Sequence, residues 1–208
     1  ALPPPPAVVQ LQEKCLENAQ SMCHKSEVGY SVFIRTWQED AHQLMERLNQ
    51  VPLQSLQLAA TAVSDRDLRE FKNTQTLTSL RLLCMPIDGS GLDSLPICEN
   101  VERLYIERCM LNGKQLAGFR KFPNVRQLKL EVWSHSDEAI RCVAPMTRLE
   151  TFSIVSHGAF SGDGLIGLKD KEYLWYVGLE DTTVSRGFEH LVDSETLTHV
   201  NVFNTEVN

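Results

Sequence analysis

The sequence predicts an α/β solenoid, in which a curved parallel sheet lines the concave side and short helices cover the convex side. Three observations support this fold class. Apolar residues recur with a period near 24 residues. Within each period, one run has apolar residues at every second position, which is typical of a strand with one buried face. A later run has apolar residues three positions apart, which favours a short helix.

The repeat is visible when the chain is divided at equivalent apolar residues. The units begin at Leu53, Leu77, Val101, Val125, Leu149, Leu174 and Leu197. The first four are 24 residues long, the next two have 25 and 23, and the last is incomplete. Residues 30–51 fit the same register weakly, with Val32 and Ile34 in the strand and Leu44 in the second half. We therefore expect about seven to eight repeats.

Each unit supplies one predicted strand and one predicted helical turn. The strand pairs are Leu56/Leu58, Leu80/Leu82, Leu104/Ile106, Leu128/Leu130, Phe152/Ile154, Val177/Leu179 and Val200/Val202. The helical pairs are Leu68/Phe71, Leu92/Leu95, Leu116/Phe119, Ile140/Val143, Leu165/Leu168 and Phe188/Leu191. Because one such unit cannot bury its apolar side alone, the units must stack on one another.

These repeats resemble the leucine-rich repeat family over roughly residues 28–208. The segment "TAVSDRDL", echoed by "TTVSRGF" and "TEV", is similar to a Thr-x-Val-(Ser/Thr)-Asp-x-Gly-Leu form that is abundant in environmental bacteria such as planctomycetes. In that subgroup the segment joins the strand to the helix. The resemblance implies a leucine-rich repeat solenoid.

One column of the repeat departs from the family pattern. Family members place Asn, Thr or Cys three residues after the last strand leucine, where the side chain can satisfy backbone groups at the turn. Here the column contains Thr61, Met85, Cys109, Trp133, His157, Thr182 and Thr205. Because Met85, Trp133 and His157 break it, we expect the middle repeats to turn differently, with help from Gly158, Gly162 and Gly164. The irregular middle is either sequence drift or a site.

The two ends of the chain differ from the repeats. Residues 1–7, with four consecutive prolines, predict a disordered polyproline leader. Residues 8–27 predict a helical cap, since Val8, Leu11, Cys15 (or Leu16) and Ala19 have helical spacing. The solenoid then occupies residues 28–208. Its last repeat lacks a helix over Val202 and Val207, so an open C-terminal edge is expected, which either continues in a longer chain or pairs in a homodimer.

Composition narrows the possible partners. The chain has 20 basic and 27 acidic residues and a formal charge of −7, with no basic block, which argues against nucleic acid. No run approaches the roughly 18 apolar residues of a membrane span, so no membrane partner is predicted. The six cysteines include no C-x-x-C pair. A chain of 208 residues does not need disulfide bonds for stability, which favours free thiols and a cytoplasmic location, with a secreted or periplasmic one as the alternative.

The sequence contains no recognisable catalytic or metal-binding pattern. Cys98 and Cys142 fall at predicted core positions, and Cys84 and Cys109 lie just past neighbouring strands, where turn packing competes with a disulfide or a metal pair. The spacing of Cys15, Cys23 and His24 fits no zinc pattern, and His135, His157 and His199 are scattered. We predict no catalytic residue, no metal and no cofactor.

The remaining candidate site is the exposed face of the sheet. Mixed charge and an aromatic residue gather in its middle columns, and arginine and tyrosine are enriched at binding hot spots. The predicted partner-binding residues are Arg81, Arg103, Tyr105, Glu107, Lys129 and Glu131. Arg108 is expected to join this cluster. Trp133 and Trp175 either flank it or belong to the core, and a solvated face with compensating charges is the alternative.

The predicted function is that of a non-enzymatic scaffold that binds a protein or peptide on the concave sheet face. Two alternatives remain open: the recognition domain of a larger enzyme such as a ubiquitin-ligase-like effector, and a purely structural repeat array. The fold alone does not decide between them, because solenoids of this type host unrelated functions.

Overall fold

The computed structural model describes residues 4–17, 21–25, 29–36, 40–158, 160–204 and 206–207. A nine-stranded sheet forms one layer, and within these residues a two-stranded sheet accompanies it. The strands are β1 Met22–Lys25, β2 Tyr30–Arg35, β3 Leu53–Ala59, β4 Ser79–Leu83, β5 Arg103–Asn112, β6 Gln127–Ser134, β7 Thr151–Ser156, β8 Tyr176–Glu180, β9 Thr183–Val184, β10 His199–Phe203 and β11 Glu206–Val207. The predicted parallel sheet is confirmed.

The main sheet has the order β1-β2-β3-β4-β5-β6-β7-β8-β10, while β9 and β11 form the small parallel sheet. Only β1 runs antiparallel to its neighbour within the main sheet. In the parallel part, Leu56 pairs with Leu80, Leu80 with Leu104, and Leu104 with Leu128. Equivalent residues of successive repeats therefore form continuous columns.

The strand residues predicted to face inward form the core together with the helical pairs. Their burial follows from the alternation of a pleated strand, in which every second side chain points to the same face. Val200 and Val202 in β10 are the exception, since they remain 44% and 41% exposed. Val207 pairs through its backbone with Val184, and its side chain lies outside the described residues.

Short helices form the second layer at the predicted places. The α-helices are α1 Pro6–Glu17, α2 Ala41–Leu48, α3 Asp65–Leu68 and α4 Ser136–Arg141, and the 3₁₀ helices are Ser90–Ser94, Gly113–Lys121, Asp163–Leu168 and Phe188–His190. Apolar residues three apart lie on one side of a 3₁₀ helix, which has three residues per turn. The described part of the chain contains no helix that is both long and apolar enough to cross a membrane.

The N-terminal end corrects two predicted boundaries. Helix α1 already begins at Pro6, because proline is favoured at the first helical position and Ala7 is buried against the core. The helical cap predicted for residues 8–27 is wrong in its second half, where Met22–Lys25 is a strand. This strand pairs antiparallel with β2 and satisfies the backbone of that edge. Residues 1–3 of the predicted leader and Ala19 lie outside the described residues.

A column of left-handed residues directly follows most strands, and one member of the column, Arg108, lies inside β5. They are Thr36, Ala60, Cys84, Arg108, Asp181 and Asn204, with φ between 49° and 54°. The next residue in the unit then turns inward, so that Thr61, Met85, Cys109 and Thr182 are buried. Met85 therefore does not alter its turn, contrary to the sequence prediction, because its flexible side chain fills the same inward position.

Two middle repeats turn differently, as the sequence predicts for Trp133 and His157. Strands β6 and β7 continue through the equivalent positions, Val132 and Ser156. The left-handed residue comes later in the first of them, at His135. A β-branched valine disfavours positive φ, so the strand extends instead of turning.

The predicted polar turn column satisfies the backbone only in part. The Cys109 thiol donates to the Glu107 carbonyl oxygen at 3.4 Å. Among the described residues, the buried hydroxyl of Thr61 has no hydrogen-bond partner, contrary to expectation. Thr205 of this column is not among the described residues.

A partly buried aspartate joins each of two repeats to the next. Asp137, at the start of α4, accepts hydrogen bonds from the N–H groups of Ser161, Gly162 and Gly164 at 2.9, 3.1 and 2.7 Å. Gly162 has φ +98°, and a Cβ on Gly164 would lie 2.4 Å from the Asp137 carbonyl oxygen. Asp65 bonds in the same way to the N–H groups of Asp88, Gly89 and Gly91. Only glycine allows this close approach of two backbones.

Lys171 is a buried cation in the helical layer. Its ammonium group donates to the carbonyl oxygens of Val143 and Ala144 at 3.2 and 2.6 Å, beyond the end of α4. Burial lowers the pKa of Lys171 to about 8. The amine thus satisfies two carbonyl groups beyond the helix end, and it loses hydration because it is buried.

We expect Asp137→Ala to lower the free energy of unfolding by about 3 kcal/mol, because buried N–H groups lose a charged acceptor. Urea denaturation measures this loss. The matched control is Asp193→Ala at an exposed position, for which a change below about 0.5 kcal/mol is expected. Similar losses in both variants would contradict the structural role of Asp137.

Lys171 also predicts a pH dependence of stability. Its pKa is about 8 in the fold and 10.5 ordinarily, so between these values the unfolded chain binds more protons and stability rises with pH. Raised pKa values of cysteines oppose this trend above about pH 9. We therefore expect the stability of the wild type relative to Lys171→Met to increase between about pH 7.5 and about pH 9 in urea denaturation. A constant difference would exclude a lowered pKa.

Candidate protein-binding surface

The residues predicted to bind a partner lie together on the sheet face opposite the core, which we call the open face. Arg81 of β4 pairs in register with Tyr105 of β5, and Tyr105 pairs with Lys129 of β6. Glu107 and Arg103 lie on β5 to either side of Tyr105. We call Arg81, Tyr105, Lys129 and Glu107 the central row.

The central row is internally connected. The Glu107 carboxylate accepts from Arg81 Nη2 at 3.2 Å and from Lys129 Nζ at 3.0 Å. The Arg81 guanidinium carbon lies 5.6 Å from the centre of the Tyr105 ring, within cation–π range. The Tyr105 hydroxyl donates to Gln127 Oε1 at 2.7 Å. These contacts restrict the side chains of the central row to defined orientations.

Arg103 and Arg108 are the exposed cations beside this row. Within the described part of the chain, neither guanidinium group makes an ion pair. Arg103 is next to Ser79 and Gln127 in the sheet register, which are both neutral. Arg103 lies on the same face of β5 as Tyr105, and its side chain is exposed.

Glu131 has a different role from the other predicted residues. One of its oxygens accepts the Arg108 backbone N–H at 2.9 Å, and the other lies 2.9 Å from His157 Nε2. In other repeats the corresponding N–H donates to a backbone carbonyl, as from Cys84 to Glu107. The Glu131 side chain therefore replaces a backbone acceptor where β6 continues past the usual turn.

The extension of β6 exposes an aromatic pair at the edge of the central row. Trp133 follows buried Val132, so strand alternation turns its indole ring outward, where it is 44% exposed. The ring centres of Trp133 and His157 are 4.4 Å apart, with an interplanar angle of 31°. Of the two interpretations that the sequence left open, the structure excludes core packing for Trp133.

A second aromatic group lies near the other end of the open face. Trp175 is 43% exposed and contacts Tyr176 and His199, with ring centres 5.8 and 5.9 Å apart. Nearby in sequence, exposed Tyr173 lines a cavity of about 230 Å³ with Arg126, Arg148 and Glu150. Tyr173 was not singled out from the sequence. Its position directly before the buried Leu174 could have indicated an exposed aromatic residue ahead of the strand.

The electrostatic balance of the open face differs from that of the whole chain. The formal charge of the chain is −7. Around the central row, Arg81, Arg103, Arg108 and Lys129 face two carboxylates, Glu107 and Glu131, and both carboxylates already have partners in the fold. The charged groups around the central row that have no ion-pair partner among the described residues are therefore cationic.

The six cysteines differ in how far their thiol groups are buried. All six thiols are free. Burial raises the pKa of Cys98 and of Cys109 to about 11, so both remain protonated and weakly nucleophilic at neutral pH. Cys142 is only partly buried against the core, and Cys84 is exposed.

The sequence predicts no zinc site, because the spacing of Cys15, Cys23 and His24 fits no zinc pattern and three further histidines are scattered. In the structure His157 contacts Trp133 and His199 contacts Trp175, so these two histidines lie in different aromatic groups. In the part of the chain that is described, no group of three or more His, Cys, Asp and Glu side chains could hold a metal ion.

We expect Glu131→Ala to lower the free energy of unfolding by about 1–2 kcal/mol, because it leaves the Arg108 N–H without its acceptor. Glu180→Ala, in the same column on β8, is the control, with an expected change below about 0.5 kcal/mol. Thermal and urea unfolding measure both. If Glu131→Ala were as stable as the control, the Glu131 side chain would not stabilise the fold as an acceptor for the Arg108 N–H group.

Comparison with known proteins gives distant likenesses among solved structures. No protein-family model matches the chain, and no curated protein matches it. Among solved structures, the crystal structure of a plant ice-binding protein is similar to it at 16% sequence identity with a TM-score of 0.44. The alignment covers 96% of this chain and 86% of that one. This similarity is too low to support an argument about function.

Proposed function

We propose that this chain is a leucine-rich repeat module that binds a protein or peptide on its open face and catalyses no reaction. The repeat period, the inward strand leucines and the strand–turn–helix order support the assignment to this family. About seven to eight repeats are proposed from the spacing of the units. The partner-binding residues are Arg81, Arg103, Tyr105, Glu107, Lys129 and Glu131, joined by Arg108 and Trp133.

One observation carries the proposal. The two carboxylates of this surface are occupied by contacts within the fold, whereas the guanidinium groups of Arg103 and Arg108 are exposed without an ion pair among the described residues. The alternative is a solvated face on which charges compensate one another. Such a face does not account for an excess of unpaired cations on a chain of charge −7. A cationic surface favours an acidic partner, and two copies of this surface would repel each other if they faced one another.

The neighbouring aromatic groups support a peptide or protein over a small anion. Trp133 and Trp175 present large apolar areas that gain free energy when water is displaced. Both also carry an indole N–H that can donate to a peptide carbonyl group. We therefore propose an acidic segment with at least one apolar side chain, whose carboxylates contact Arg103 and Arg108 while the apolar side chain covers Trp133.

The test uses a displayed library of random linear peptides selected on the purified chain. We expect the wild type to enrich acidic peptides that contain apolar residues, and we expect Arg103→Glu/Lys129→Glu to bind them at least about tenfold more weakly, since like charges now face each other. Binding should weaken with added salt because the pairs are exposed. Fluorescence anisotropy measures the affinities.

The matched control is Arg66→Glu/Lys114→Glu, which changes the net charge by the same amount at exposed positions in the helical layer. It should keep the wild-type affinity. All variants are compared by thermal unfolding, so that a loss of binding is not confused with a loss of fold. Equal binding by the wild type and the Arg103→Glu/Lys129→Glu variant would sink the proposal, as would equal weakening in the control.

A further inference from the structure

A cavity opens between α1 and β1, far from the central row. Its volume is about 410 Å³, and its lining consists of Gln12, Cys15, Ser21, Met22, Cys23 and His24. Two of the six cysteines of the chain therefore line one cavity, and the first of them is buried while the second is partly buried. The surface described above does not use either thiol.

Secondary structure directs both cysteine side chains into the space between helix and strand. Cys15 continues the buried stripe of Val8 and Leu11 along α1, the stripe that faces the core. Cys23 pairs in the antiparallel register with Val32, which is 2% exposed. Paired residues of neighbouring strands point to the same face of a sheet. Cys23 therefore points to the side on which α1 packs.

Two further observations indicate that this part of the helix and the strand are close. Gln12 Nε2, one helical turn before Cys15, donates to the Cys23 carbonyl oxygen at 3.4 Å. Burial and, to a smaller degree, the neighbouring Cys23 raise the pKa of Cys15 to about 11. Burial raises the pKa of Cys23 as well. Both groups are therefore protonated thiols at neutral pH, so their exchange with a disulfide is slow there and becomes faster as the pH rises.

We propose that Cys15 and Cys23 form an oxidation site that reacts with low-molecular-weight disulfides and closes into an intramolecular disulfide bond. Cys23 is the more accessible sulfur, and its thiolate attacks one sulfur of the small disulfide. A mixed disulfide forms and one small thiolate leaves. The Cys15 thiolate then attacks the Cys23 sulfur and releases the second small thiolate. Two electrons pass to the oxidant, and the two cysteine protons end on the two small thiols.

The bond would attach α1 covalently to the edge strand of the sheet. In the reduced state, packing and the Gln12 hydrogen bond hold this end of the solenoid. A disulfide restricts the unfolded chain and so stabilises the fold when its geometry is unstrained. Oxidation therefore tightens the N-terminal end without changing the charge of the open face.

The test uses Cys84→Ser, which removes the exposed cysteine and with it the competing intermolecular reaction. The folded protein is incubated with oxidised glutathione, the remaining thiols are alkylated, and the tryptic peptide of residues 15–25, which contains both cysteines, is weighed. We expect this peptide to lack two hydrogen atoms and to carry no alkyl group. Cleavage after Glu17 should leave its two halves joined until a reductant is added.

Two variants in the same background serve as controls. Cys23→Ser should abolish the internal disulfide and leave Cys15 open to alkylation after unfolding. Cys142→Ser removes another partly buried cysteine and should leave the reaction unchanged. The oxidised protein should also unfold at a higher temperature than the reduced one. A stable glutathione adduct on Cys23, a bond to any other cysteine, or no oxidation of folded protein would overturn the proposal.

Discussion

Each residue of a repeat lies beside its counterpart in the next repeat, and the rest of the structure depends on this register. Strands at a spacing near 24 residues pair position by position, so leucine meets leucine across the core and surface residues form columns on the open face. A single apolar pattern, copied along the chain, thereby produces a continuous core that no unit could build alone. Close approach at Gly164 and the bonds of Asp137 hold the helical layer to the same spacing.

The same register determines where the irregular turn of β6 lies relative to the central row. Val132 continues its strand instead of turning, so Glu131 supplies the acceptor for the Arg108 N–H and Trp133 emerges on the surface. The local change in backbone path thus brings an aromatic ring to the edge of the central row. Trp133, which breaks the turn column of the sequence, is therefore part of the open face in the structure.

Much of the fold could be predicted because the alternation of buried strand residues and the three-residue helical spacing are visible in the sequence. The row formed by Arg81, Tyr105 and Lys129 followed from the same alternation. The sequence did not reveal the strand at Met22–Lys25, since this run of four residues lacks the apolar alternation of the other strands and becomes a strand by pairing with β2. Nor could it reveal the unchanged turn at Met85, because the preceding residue sets that conformation.

The arrangement of strands also has a mechanical consequence. Hydrogen bonds between parallel strands run along the stack of repeats, across the direction of each strand. Tension applied to the two ends of the solenoid therefore passes through every ladder in series, and the weakest ladder parts first. Resistance is set by the weakest ladder rather than by the sum of all of them. Such a chain yields in small successive extensions, and it can take up strain at one end while the charged surface in its middle keeps its shape.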